Sequence, residues 1–289
     1  MNPSNQADAE LAAKREDLET ILKGLRSVAI AFSGGVDSTL LVAEARRVLG
    51  RDNVLAVTAD SKTYVAEELQ GARELAAQLD VRHKIIETDE LDVPHFRNNP
   101  PTRCYYCKRE LFSTMKDVAE ANGLAVVCDG ANADDVHAWR PGLKAAAELG
   151  VRSPLKEAGF TKDLVRALSR ELGLATWDRP AMACLASRFP YGEPITEQKL
   201  DRVAAAEALL RELGFEGCRV RDHETIARIE VAPADIGRLT EHREHLVREL
   251  KALGYTYVAM DLEGYRAGAM DEVLPEGGEA EGIAGPEQS

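Results

Sequence analysis

Ser33-Gly34-Gly35-Val36-Asp37-Ser38-Thr39 follows the apolar run "SVAIAF" and leads straight into "STLLVAEARRVLG". A glycine turn between a strand and a helix binds anions. Gly34 and Gly35 permit close backbone approach. The helix start directs unpaired N–H groups and a positive dipole end at the loop. Ser33, Ser38 and Thr39 add hydroxyl donors. The pattern G-x-x-x-x-G-K-[ST] is absent, and no Lys lies in the turn. Asp37 instead places a carboxylate where a bare phosphate would be repelled. A divalent ion resolves that conflict, since Mg²⁺ commonly binds through one or two carboxylates plus substrate phosphates. The plainer reading is a Gly/Ser turn in which Asp37 and Ser38 only cap a helix; the strand–turn–helix setting favours a ligand site.

The thiols are the second chemical signal. Five cysteines (104, 107, 128, 184 and 218) are an odd set and do not suggest a disulfide framework. Cys104 and Cys107 form C-x-x-C beside Lys108 and Arg109, a reactive or metal-binding pair. Cys184 lies four residues before Arg188, whose guanidinium can lower a thiol pKa and hold phosphate. Sulfur attack needs a thiolate or sulfide. The C-x-x-C pair also reads as a redox pair or a zinc site, although zinc wants a fourth protein ligand and none is evident nearby. Cys128 and Cys218 sit inside strand patterns and read as core.

Other candidates stand at the ends of strand patterns. Asp60 ends "VLAVTAD" and would touch ribose or cap a helix. Asp129 and Gly130, with Asn132, Asp134 and Asp135, follow "LAVVC"; they meet phosphate or metal, or form turns. Arg140 and Lys144 are candidate partners of phosphate or a substrate carboxylate. Alternation puts Arg219 and Arg221 on one strand face, and Arg228 and Glu230 on one face of the next strand. A salt-bridged sheet surface is the competing reading there.

These residues need a scaffold, and the pattern specifies one. A helix is expected over 8–25. The apolar runs "SVAIAF", "VLAVTAD", "HKIIETD" and "LAVVCDG" then alternate with helical patterns. The expected fold is α/β, a doubly wound, mostly parallel sheet, with ligands at the carboxyl ends of the strands. A stretch rich in Pro and small residues, 177–196, suggests a boundary. After it come a helix (197–213), two strands, a helix (234–252) and a strand, which suit a small α+β module. The expected domains are 1–185, 186–274 and an acidic, disordered tail 275–289.

Composition narrows the partners. Hydrophobic residues make up 45%, enough for a real core. The net charge is −13, and the chain before the tail keeps −9. Such an acidic body argues against broad contact with nucleic acid. No run approaches the ~20 apolar residues that span a bilayer, and no signal-peptide layout opens the chain. A cytoplasmic protein with no membrane partner is expected, and the charged second module suggests a homo-oligomer.

The motif S-G-G-x-D-S resembles the pyrophosphate-binding loop of the PP-loop ATP pyrophosphatases, which include NAD and GMP synthetases and tRNA-thiolating enzymes. The resemblance implies cleavage of ATP between its α and β phosphates, with adenylylation of a substrate oxygen. With "RCYYCKRELF" (103–112), "DGANADDVHAWRPGLKAAAELGVRSPL" (129–155) and "ACLASRFPYGEPIT" (183–196), nearly the whole chain resembles the LarE-type sulfur transferases. That likeness implies ATP, Mg and a pyridinium-3,5-biscarboxylate mononucleotide substrate, on the route to the nickel-pincer nucleotide of lactate racemase. It implies substrate contacts at Ser187 and Arg188. It also implies that charged residues such as Arg219 and Glu230 bind phosphate or metal near a subunit interface. Sulfur comes, in one branch, from a sacrificial cysteine in the stretch that holds Cys184. In another branch it comes through a [4Fe–4S] cluster, here on Cys104, Cys107 and Cys184. The presence of all three thiols favours the cluster. The competing classes are a tRNA thiolase, an ammonia-fed amide ligase and a non-enzymatic nucleotide sensor; a thiol-free ligase has no need of these thiols, and a sensor would bind ATP without releasing pyrophosphate.

Overall fold

Strands buried on both faces send alternate residues into two cores, and three of the first four strands do so, the edge strand 82–87 burying only Ile86. The computed structural model describes residues 3–93, 95–137, 141–180 and 183–274. The tail 275–289 and Arg140 lie outside the described residues. The chain divides into two units, Met1–Thr88 with Tyr105–Met182, and Asp89–Cys104 with Ala183–Ser289.

In the first unit, helix α1 (Pro3–Leu25) precedes β1 (Val28–Ala31), α2 (Val36–Leu49), β2 (Val54–Asp60), α3 (Ala66–Gln78) and β3 (Arg82–Glu87). Then come α4 (Arg103–Ala121), whose first two residues belong to the second unit, β4 (Val126–Cys128), α5 (Pro141–Glu148), a one-turn α6 (Pro154–Glu157) and α7 (Lys162–Glu171). The sheet order is β3-β2-β1-β4, and every pair is parallel. Val28, Ile30, Val54 and Ala56 pack with Leu22, Leu41, Leu75 and Leu168 on one face. Ala29, Leu55 and Val57 pack with Phe112 and Met115 on the other. The expected α/β, doubly wound sheet is therefore present. From β1 the chain winds outward to β2 and β3, then returns to place β4 on β1's other side. The carboxyl ends of β1 and β4 thus form the topological switch point, where ligands bind on such sheets.

The second unit holds α8 (Glu197–Glu212), β5 (Arg219–His223), β6 (Ile226–Glu230), α9 (Ile236–Glu241), α10 (Arg243–Ala252) and β7 (Tyr257–Met260). β5 and β6 are antiparallel and β6 and β7 parallel, around a core that includes Leu210, Phe215, Ile229 and Leu250. The single helix expected over 234–252 is two, broken at His242. Thr240 Oγ1 donates to the Gly237 carbonyl at 2.7 Å, a back-bond that competes with helix continuation.

Residues 89–104, which the sequence groups with the first domain, pack with the second unit. Asn99 Nδ2 donates to the carbonyls of Phe189 and Pro190, and Gly192 and Ile195 donate N–H to the carbonyls of Asn99 and Arg97. No helix of the described residues is long and apolar enough to cross a membrane.

Candidate active site

The glycine loop is pinned at both ends. Phe32 donates its N–H to the Val57 carbonyl at 2.8 Å, which keeps the chain on β2 until Ser33. Gly34 has φ 75°, a left-handed conformation that favours glycine. Gly35 is the N-cap of α2 and offers no side chain to the first turn. Ser38 Oγ donates to the Gly35 carbonyl and Ser33 Oγ accepts from the Gly35 N–H, with the two hydroxyls 3.3 Å apart. Thr39 is fully buried, and its Oγ1 has no hydrogen-bond partner in the protein.

The segment after β4 lies against this turn. A Cβ on Gly130 would sit 3.1 Å from the Ser38 nitrogen and 3.2 Å from its Cα. Asn132, 2% exposed, donates from Nδ2 to Asp37 Oδ1 at 3.0 Å. Asp135 holds the Asn132 N–H, and Asn132 Oδ1 accepts from the Asp134 N–H. Asp129 accepts from the Ala131 N–H at 3.2 Å, a turn contact. Asp60 is exposed at the carboxyl end of β2.

Two cations reach the loop from residues the sequence reading passed over. Lys162 Nζ donates to Asp37 Oδ2 at 2.5 Å. Arg179 donates from Nη1 to the Gly34 carbonyl at 3.3 Å. Both depend on α7: Lys162 is its first residue, behind the N-cap Thr161, and Arg166 holds the carbonyls of Trp177 and Arg179. The signal for α7 was Thr161 ahead of Val165 and Leu168, a cap before an i, i+3 apolar pair. Lys144 is exposed, its ammonium 5.9 Å from the Tyr105 ring centroid.

Mg²⁺ fits what is present. Asp37 supplies one partly exposed carboxylate beside an anion-binding turn, which suffices for an ion that takes its other ligands from phosphates and water.

In the second unit Cys184 is half-buried and precedes a 3₁₀ turn, Leu185–Arg188. Arg188, expected to hold phosphate or substrate, is engaged by protein groups. It is 3% exposed, pairs with both oxygens of Glu207 through Nε and Nη2, and donates from Nη1 to Ala183, Cys184 and Ser187 oxygens. Its guanidinium orders the turn. Arg221 continues the frame, donating to the Ser187 carbonyl at 3.0 Å and to Glu230 Oε2 at 2.7 Å. Glu230 Oε1 lies 3.2 Å from Arg228 Nη2, a charge contact outside hydrogen-bond geometry. Arg219 is buried across from Glu230, and burial together with Arg188 pulls its pKa below the ordinary value.

Cys104 is exposed and Cys107 half-buried, one turn apart on α4. Among the described residues no group of three or more His, Cys, Asp or Glu side chains is placed to hold a metal ion. Cys128 and Cys218 are buried, as their strand setting implied; burial pushes the Cys218 thiol up to about 11 and raises Cys128 further.

A model of the NAD synthase family matches residues 15–103, the stretch that carries the glycine loop. The chain is 46% identical over 266 residues to the pyridinium-3,5-bisthiocarboxylic acid mononucleotide synthase of Lactiplantibacillus plantarum, covering 92% of this chain and 96% of that one. It is 44% identical to an uncharacterized protein of Synechocystis, over 91% of this chain and 99% of that one. A shorter similarity, 35% over 36% of this chain and 39% of the other, joins it to an ammonia-dependent NAD(+) synthetase of Chlorobaculum parvum. With near-complete overlap at this identity, and the loop set at the switch point of a parallel sheet, the chain belongs to the LarE family of pyridinium-3,5-bisthiocarboxylic acid mononucleotide synthases, within the ATP-using PP-loop class.

Proposed function

We propose that this chain uses ATP to adenylylate a carboxylate of pyridinium-3,5-biscarboxylate mononucleotide and then replaces oxygen by sulfur, in nickel-pincer cofactor synthesis. The observation that carries the reading is the Ser33–Thr39 turn at the switch point, with Asp37, Lys162 and Arg179 around it.

A carboxylate is a poor electrophile. Its oxygen attacks the α-phosphorus of ATP, the bond to the β-phosphate oxygen breaks, and pyrophosphate leaves. N–H groups at the start of α2 and the Ser38 hydroxyl receive the pyrophosphate oxygens. Mg²⁺, when bound through Asp37, neutralises charge on the leaving group. Lys162 supplies a further positive charge from α7. Asp60, Asp129 and Gly130 line the strand ends on which the rest of the nucleotide would rest. Lys144 in the first unit and, separately, Ser187, Arg188, Arg219 and Glu230 in the second are the proposed substrate residues, with Arg188 acting through the turn it orders.

Sulfur must then attack the acyl carbon and expel AMP. With Cys184 as donor, its thiolate forms a thioester. Loss of the Cys184 Cα proton and cleavage of its Cβ–S bond then leave a thiocarboxylate and dehydroalanine, with no change of oxidation state to supply. A [4Fe–4S] cluster on Cys104, Cys107 and Cys184 is the other route. The three thiolates would hold such a cluster.

The decisive assay supplies ATP and the pyridinium dicarboxylate and follows AMP and thiocarboxylate. Absence of AMP sinks the reading. Iron and sulfide analysis after anaerobic purification, with the intact mass before and after one turnover, separates the sulfur routes. Loss of one H₂S from the protein marks the sacrificial one. A homo-oligomer is also proposed, since Ile226 and Tyr257 pair across β6 and β7 and stand 36% and 63% exposed. Light scattering tests it.

A further inference from the structure

We propose that Lys162 competes with a divalent cation for Asp37, so that metal uptake by the glycine loop is conditional on nucleotide. The inference rests on the ATP-cleaving reading above. Both oxygens of Asp37 accept from protein donors, Oδ1 from Asn132 Nδ2 at 3.0 Å and Oδ2 from Lys162 Nζ at 2.5 Å. The lysine is held from behind as well. Its own N–H donates to Asp134 Oδ2 at 2.7 Å, and the Asp134 N–H donates to Asn132 Oδ1 at 3.0 Å. Four residues from three segments thus close a ring: Asp37, Asn132, Asp134, Lys162.

That ring fixes the lysine's backbone and leaves the flexible four-carbon stem to move the ammonium. A divalent cation on Asp37 would face this ammonium within a few ångströms, and like charges at that range repel strongly in a partly buried site. The side chains are 37% and 23% exposed, so ions from solvent reach the pair. ATP changes the balance. Its phosphate oxygens are strong acceptors for an ammonium, and they also supply the remaining ligands that a magnesium-like ion needs. Lys162 then exchanges a carboxylate for a phosphate, and Asp37 is released to the metal. Coupling of this kind is reciprocal: metal tightens nucleotide by the same factor by which nucleotide tightens metal.

The test is Mn²⁺ binding by the full chain, read by electron paramagnetic resonance, with and without the non-cleavable α,β-methylene analogue of ATP. Wild type should bind Mn²⁺ weakly alone and about tenfold or more tightly with the analogue. Lys162→Met should bind Mn²⁺ alone about tenfold or more tightly than wild type, since one charge repulsion is gone. Lys162→Arg, which keeps the charge, should stay near wild type. Adding Asp37→Asn to Lys162→Met should abolish the gain. An unchanged affinity in Lys162→Met, or a gain that survives Asp37→Asn, overturns the proposal. Circular dichroism melts check folding, and Lys162→Gln is read in the same way should Lys162→Met not fold. If wild type makes no AMP from ATP, the proposed function falls, whereas the titrations without nucleotide still decide this competition.

Discussion

Arg188 and Glu207 form a two-pronged ion pair, Nε to Oε1 at 2.7 Å and Nη2 to Oε2 at 3.0 Å, with both side chains no more than 4% exposed. Glu207 also accepts the Val220 N–H at 3.1 Å. One carboxylate therefore joins the turn after Cys184 to strand β5. The pair is worth little as net stability, because two desolvated charges cost nearly what their attraction returns. Its effect is to fix where the turn sits.

Removing one partner should be costly. Glu207→Ala leaves a buried guanidinium without its counter-charge and is expected to lose about 3–5 kcal/mol of unfolding free energy in urea. Arg188→Met with Glu207→Leu should recover much of that loss, while thiocarboxylate formation stays impaired because the turn is no longer ordered. A double variant with full activity would show that the pair does not position the turn.

Gly130→Ala tests the contact between the β4 segment and the glycine loop. The new methyl would meet backbone atoms of Ser38, which cannot swing aside as a side chain can. We expect about 1–3 kcal/mol of destabilisation and weaker ATP binding by calorimetry. Wild-type ATP affinity in this variant would mean that the loop relaxes without harm.

Asp37→Ala and Ser38→Ala should each lower AMP formation, by about 10²-fold or more for Asp37, the scale seen when one well-placed electrostatic partner of a transition state is removed. A rate in Asp37→Ala within a factor of a few of wild type would count against the assignment of this loop.

Stability should fall on mild acidification. Burial, then Arg73, lowers the pKa of His83 below the ordinary 6.5, and burial, then Arg228, does the same for His223. Near and below pH 6.5 the unfolded chain then binds more protons than the folded one, so unfolding free energy decreases as pH falls through that window and is unaffected above it. The urea midpoint should be lower at pH 5.5 than at pH 7.5. His83→Gln should flatten part of that slope; an identical slope in the variant would assign it elsewhere.

The sheet was legible because β1, β2 and β4 lie in apolar runs, and "VLAVTAD" matches β2 residue for residue. The glycine loop was legible because its chemistry lies within seven consecutive residues. Lys162 was not, because it stands 125 positions from Asp37 and meets it only through the packing of α7. The pairing of Arg188 with Glu207 was hidden for a related reason. The spacing of Arg188 from Cys184 suggests a ligand, whereas its partner Glu207 lies a helix away, and nothing local marks that carboxylate as buried. Residues 89–104 read as a simple continuation of the first domain because their partners follow far downstream.

That discontinuity bears on synthesis. Asn99 emerges from the ribosome well before Phe189, Pro190 and Gly192, the stretch that completes its bonds. Through translation of residues 105–182 the nascent segment 89–104 waits as an unmatched half of a module whose other half has not been made. A cut of the gene at any single point cannot yield the second module whole, and a chain stalled in that interval would offer the segment to chaperones or to a neighbouring polysome's copy.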